Sequence, residues 1–121
     1  MNINIMNTKI IRTIGTILIV GVIIAAAPIT VPRLFGLQEY NVISGSMEPA
    51  ISVGSIVYVK AQNFNELSCG DVIAFESGAS VVTHRIIQMD NDSLLITTKG
   101  DANDAEDFKP VAYSNVIGKV V

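Results

Sequence analysis

Six residues, Ser44-Gly45-Ser46-Met47-Glu48-Pro49, put two hydroxyls on a short glycine-containing segment that Pro49 stiffens at its exit. The only histidine, His84, stands in Val82-Thr83-His84-Arg85, and an acidic stretch follows in Lys99-Gly100-Asp101-Ala102-Asn103-Asp104-Ala105-Glu106-Asp107. Hydrolysis through a serine needs a base to take the hydroxyl proton and donors to hold the developing oxyanion. A third group must orient that base. Serine, histidine and aspartate occur here in that order. Gly45 offers backbone conformations closed to other residues, which predicts a turn that exposes Ser46 and aims backbone N–H groups beside it. An imidazole suits the base because its charge changes near neutrality.

Each part also has a plainer reading. Ser-Gly-Ser is common in loops, and a lone histidine on a strand is often structural. The acidic stretch could be a solvated loop, or an oxygen-rich calcium loop through Asp101, Asn103, Asp104 and Asp107, although it lacks the spacing and flanking helices of an EF-hand. No metal or cofactor is expected. Cys69, the single cysteine, permits no internal disulfide and no cysteine-based metal site.

These residues must be positioned by a small domain. Thr13 to Pro32 carries no charge and is mostly Ile, Val, Leu, Ala and Gly, enough for the roughly 20 residues that cross the hydrocarbon core of a bilayer. Pro28 and Pro32 predict fraying or a kink near the end of that helix. About 85 residues remain after Phe35, enough to build one core. The expected organisation is a short cytoplasmic N-terminus at 1–9, a transmembrane signal-anchor at 10–32 and an extracytoplasmic β-rich domain at 33–121.

Charge changes at the same boundary. Lys9, Arg12 and Arg33 are the only charges before Gly36, whereas the chain beyond Gly36 holds eleven acidic and five basic residues, a net −6. Two cations before the span and one after it favour a cytoplasmic N-terminus. Nucleic acid is not an expected partner, for want of a basic stripe with interleaved aromatics. A cleaved signal peptide ending at Ala25-Ala26-Ala27 is the rival reading of the first thirty residues. The apolar run exceeds the usual signal core, and Pro28 would hinder cleavage after Ala27. The anchor is the favoured reading, and the domain is exported either way.

After the connector Arg33–Gln38, short β-branched runs alternate with turn residues. Strands are predicted at Tyr40–Ile43, Ser55–Lys60, Asp71–Phe75, Ser80–Gln88, Ser93–Lys99 and Asn115–Val121. The fold expected is all-β, a small partly open barrel or sandwich of short strands preceded by one transmembrane helix.

Residues 42–49 (VISGSMEP), 70–75 (GDVIAF), 81–86 (VVTHRI) and 98–107 (TKGDANDAED) occur together and in order. In this the chain resembles type I signal peptidases of the variety found in the endoplasmic reticulum, archaea and some spore-forming bacteria. The resemblance implies Ser46 as nucleophile and His84 as base, where the common bacterial variety uses lysine. It implies Asp101 or Asp107 as the group that orients His84. Spacing does not decide between them; Asp107 is favoured, with Asp101 shaping the loop or the local field. Ser44 and the backbone N–H of Ser46 would form the oxyanion hole, and Asp71 would cap a turn.

The implied substrates are signal peptides of exported preproteins, cut after small residues at the positions one and three before the bond. Val42, Met47 and Ile51 are candidates to line a shallow apolar groove that excludes larger side chains, with core packing as the alternative for all three. The implied partners are the lipid bilayer and accessory membrane subunits, at the cell membrane of a prokaryote or the endoplasmic reticulum of a eukaryote. Many members of that family continue beyond their last strand, whereas this chain ends at Val121. Two other classes of function stay open on the residues alone. One is a non-catalytic membrane-anchored scaffold. The other is a self-cleaving protease of the repressor type that would use Lys99 or Lys60 as base.

Overall fold

The structure, a computed structural model, describes residues 3–121. The chain divides between Phe35 and Gly36 into two compact units. The first is a helix, α1 (Ile3–Leu34), long and apolar enough to cross a membrane. It starts before position 10 and continues through Pro28 and Pro32 to Leu34, so the prolines do not end it. Thr8, Thr13 and Thr16 return their hydroxyls to the carbonyls of Asn4, Lys9 and Arg12, which satisfies them within the helix itself. At its end the Phe35 N–H donates to the Pro32 carbonyl, and Gly36 takes φ +74°, the left-handed turn in which glycine closes helices.

The second unit is all-β. Among the described residues it has seven strands: β1 (Leu37–Asn41), β2 (Ile56–Lys60), β3 (Val72–Ser77), β4 (Ser80–Asp90), β5 (Leu95–Lys99), β6 (Val111–Ala112) and β7 (Val116–Val120). They form one open antiparallel sheet in the order β1-β2-β7-β3-β4-β5-β6. The six predicted strands are all present with shifted ends, and β6 is an addition. Only two residues long and directly after Pro110, β6 offers no alternation to read. β5 begins at Leu95 because the Asp90 carboxylate accepts the Asp92 N–H and the Ser93 hydroxyl, and Leu94 sits at φ +53°. That turn consumes the residues that looked like the start of the strand.

Side chains from both faces of the sheet are buried. Ile73, Phe75, Ile86, Ile96 and Val111 gather on one side with Phe64 and Leu67. Ala74 packs on the other with Val42, Val57 and Val59. Alternate residues of β3 thus enter different clusters, as pleating requires. β4 carries His84. Its first half pairs with β3 and its second half with β5.

Candidate active site

His84 projects from β4 on the same face as Ile86, pairs backbone with Ile73 of β3 and is 8% exposed. Phe75 covers its ring edge-on at 6.1 Å between centroids. Its Nε2 lies 3.1 Å from Ser46 Oγ, and its Nδ1 lies 2.6 Å from Asp107 Oδ2. Three side chains separated by 38 and 23 positions thus meet in one line. A hydroxyl on one imidazole nitrogen and a carboxylate on the other make a proton-transfer chain.

Ser46 lies in the segment between β1 and β2, where Glu48 N–H reaches the Gly45 carbonyl and Ile51 N–H the Met47 carbonyl. Gly45 does not take a left-handed conformation, and a Cβ there would meet nothing closer than the Glu48 side chain at 3.6 Å. The expectation that this glycine shapes the turn is therefore corrected. Beside the site, the glycine with a steric reason is Gly100. A Cβ on it would stand 2.7 Å from the Ser46 carbonyl oxygen and 2.6 Å from Asn103 Nδ2. Beside it the Ala102 N–H donates to that same Ser46 carbonyl at 2.9 Å. The start of the acidic loop is thus seated against the backbone of Ser46. Ser44 Oγ lies 3.2 Å from Ser46 Oγ.

The two aspartates left open by spacing have different partners. Asp107 faces His84, while Asp101 receives the Arg85 guanidinium in a two-pronged pair, Nε to Oδ1 at 2.8 Å and Nη2 to Oδ2 at 2.6 Å. The third prong, Nη1, donates to the Gly70 carbonyl. Hydrogen bonds from Arg85 hold the Asp101 carboxyl below its usual range, and the same bonds raise the guanidinium above its own. The Asp71 carboxylate accepts the Ser68 N–H at one oxygen and pairs with Lys119 at the other. The Lys99 ammonium rests on the Gly100 carbonyl.

Beside Ser46 and His84 runs a cleft of about 380 Å³, lined among others by Tyr40, Val42, Ile43, Val81 and Asn103. Val42 belongs to that lining; Met47 and Ile51 do not. Met47 is sealed in the interior, with its sulfur accepting the Asp101 N–H at 3.4 Å. Ile51 packs against the cluster of Val42, Val57 and Val59. Reasoning from sequence neighbours alone missed Val81 and Asn103, which reach the cleft from β4 and the acidic loop. It also missed Thr98 of β5, whose hydroxyl lies 2.6 Å from Asp107 Oδ2.

A family model described as signal peptidase, peptidase S26, matches residues 11–100. Signal peptidase I W of Bacillus subtilis is 46% identical over 89 residues, which cover 70% of this chain and 47% of the relative. The signal peptidase complex catalytic subunit SEC11 is 40% identical over 73 residues in Eremothecium gossypii, covering 55% of this chain and 42% of the relative. The Saccharomyces cerevisiae protein of the same name is 36% identical over 81 residues, covering 62% and 47%. The chain spans about half the length of these relatives. With the family pattern running through the helix, Ser46, His84 and the start of the acidic loop, this chain belongs to the signal peptidases of the peptidase S26 family.

Proposed function

We propose that this chain is a membrane-anchored serine endopeptidase that removes signal peptides from exported preproteins. The observation that carries the reading is the line Ser46 Oγ, His84, Asp107, at 3.1 Å and 2.6 Å. An ionised carboxylate only accepts hydrogen bonds, so Asp107 fixes the imidazole tautomer with its proton on Nδ1. The lone pair on Nε2 then faces the Ser46 hydroxyl. Ser46 Oγ attacks the scissile carbonyl while Nε2 takes its proton. The Ser46 N–H and the Ser44 hydroxyl receive the oxyanion. Nε2 returns the proton to the leaving amine, and water repeats the sequence on the acyl-enzyme to release the new carboxylate.

Backbone pairing supports an extended peptide as substrate. Val42 spends its N–H and C=O on Ser55 and Gly54, so the flanking Asn41 and Ile43 turn theirs away from β2. On β4 the same alternation turns Val81 and Thr83 away from β3, and β5 pairing begins only at Arg85. Both open edges line the cleft, and a strand laid between them could pair with each. Val42 and Val81 would leave room for small side chains next to the scissile bond. Met47 would act from behind by supporting the loop through Asp101.

The helix α1 supports anchoring in the membrane, with the N-terminus cytoplasmic and residues beyond Gly36 outside. Tethering of enzyme and substrate to one bilayer raises their effective concentration. The fungal relatives are named as the catalytic subunit of a complex, which supports accessory membrane subunits as partners. A scaffold would have no need of the three-residue line, and Lys99 is engaged elsewhere. The test is cleavage of a preprotein by the detergent-solubilised chain beside its Ser46→Ala and His84→Ala variants. Both variants should be inactive yet folded, and cleavage by Ser46→Ala at the parent rate would end the proposal.

A further inference from the structure

We infer that Thr98 is a positioning residue for the proton-transfer line, holding the Asp107 carboxylate on His84 by a second donor to the same oxygen; this rests on the peptidase reading above. Asp107 Oδ2 lies 2.6 Å from Thr98 Oγ1 and 2.6 Å from His84 Nδ1. The carboxylate accepts only, so the threonine hydroxyl donates. The backbone adds a further tie, because the Asp107 N–H donates to the Thr98 carbonyl at 2.8 Å. Thr98 therefore grips Asp107 at both its main chain and its side chain.

The fold explains why this position can do so. Thr98 pairs with Ile86 across β4 and β5, so it lies diagonally from His84 on the same face. It is 0% exposed, and a buried hydroxyl must find an acceptor. Branching at its Cβ leaves few side-chain rotamers, so the donor is fixed before Asp107 arrives. Asp107 is the looser partner: it sits in a loop, and its side chain retains 24% exposure. With the histidine as its only side-chain partner, the carboxylate could turn toward water and free the ring. Two donors converging on one oxygen define its orientation, and through it the direction of Nε2 toward Ser46.

The test uses the full detergent-solubilised chain with a preprotein substrate, comparing the parent with Thr98→Val and Thr98→Ser. Valine keeps the branched shape and removes the donor; serine keeps the donor. We expect kcat to fall about 10- to 100-fold in Thr98→Val, the effect of losing one hydrogen bond to a charged group. KM should stay within about twofold, since the threonine does not meet substrate. Thr98→Ser should recover most of the loss. In proton NMR the His84 Nδ1–H resonance of the parent, shifted downfield by its short bond, should move or broaden in Thr98→Val and return in Thr98→Ser. A Thr98→Val chain with parental kcat and an unmoved resonance would overturn the role while leaving the peptidase reading intact. A loss confined to KM, or one that serine does not restore in a folded chain, overturns it equally. A parent chain that cleaves nothing sinks the peptidase reading, and this role with it.

Discussion

Replacing each aspartate of the acidic loop by asparagine separates two roles that composition makes look alike. In Asp107→Asn the amide oxygen can take the place of Oδ2 and still accept from Thr98 and His84, so the shape of the site survives and only the charge is lost. On the proposed mechanism, that charge stabilises the imidazolium formed as Ser46 loses its proton. For unit charges about 4 Å apart at an effective dielectric near 20, the attraction is about 4 kcal/mol. This corresponds to a rate loss of about 10³. In Asp101→Asn the loss is one charge of a pair with Arg85, whose side chain is 35% exposed. Screening by water reduces that to on the order of 1 kcal/mol of stability, and kcat/KM should fall less than about tenfold. The assay is steady-state cleavage of a peptide with alanine one and three residues before the bond, with the melting temperature of each variant recorded. Equal losses in the two variants, or a larger loss in a folded Asp101→Asn, would refute the assignment of Asp107 to the histidine.

Gly100→Ala should lower kcat about 10- to 100-fold with the chain still folded, because its Cβ would stand 2.7 Å from the Ser46 carbonyl and must displace the nucleophile by several tenths of an ångström; parental turnover would show the seat to be unimportant. Gly118→Ala should destabilise the fold by about 2 kcal/mol or more, since its Cβ would meet the Lys60 backbone oxygen at 2.3 Å; an unchanged urea midpoint would contradict that close approach. Because Arg85 lowers the carboxyl of Asp101, the stability it contributes is present above the unfolded value near 3.9 and lost as pH falls through the lower folded one. The gap in urea midpoint between the parent and Asp101→Asn should accordingly be seen at about pH 7 and close toward about pH 2; a gap independent of pH would exclude the ion pair as its source.

Periodicity was a good guide wherever one face of a segment is buried and the other is not. β2 alternates half-exposed and buried side chains, and the predicted Ser55–Lys60 differs from it by one residue. Side chains that act from a distance along the chain were not legible in that way. Val42, Met47 and Ile51 are close to Ser46 in sequence, yet only Val42 reaches the cleft. The turn sends Met47 inward and Ile51 back onto the sheet, whereas Val81 arrives from a strand 35 positions away. Gly45 and Gly100 illustrate the same limit. Only the third dimension reveals that a Cβ on Gly100 would meet the Ser46 carbonyl, whereas one on Gly45 would make ordinary contact with the Glu48 side chain. Thr98 was hidden for a related reason, since a threonine in a β-branched run reads as strand propensity.

The ambiguity between Asp101 and Asp107 has a geometric origin in the His84-Arg85 pair. Consecutive residues on a strand point to opposite faces of the sheet, so the base and the cation beside it cannot share a partner. His84 lies with Ile86 and Thr98 on one face, and Asp107 comes to that face beside Thr98. Arg85 lies opposite Lys99, and Asp101, two residues farther along, meets it there. The loop must therefore present one carboxylate to each face, and the six-residue separation gives it the length to pass around the end of β5. A slip of β4 by one residue would exchange the two faces and bring a guanidinium, which cannot accept a proton, against Ser46. The ion pair at Asp101 opposes that slip from the far side of the sheet. On the proposed mechanism, Arg85 would keep its neighbour in register without touching a reacting atom.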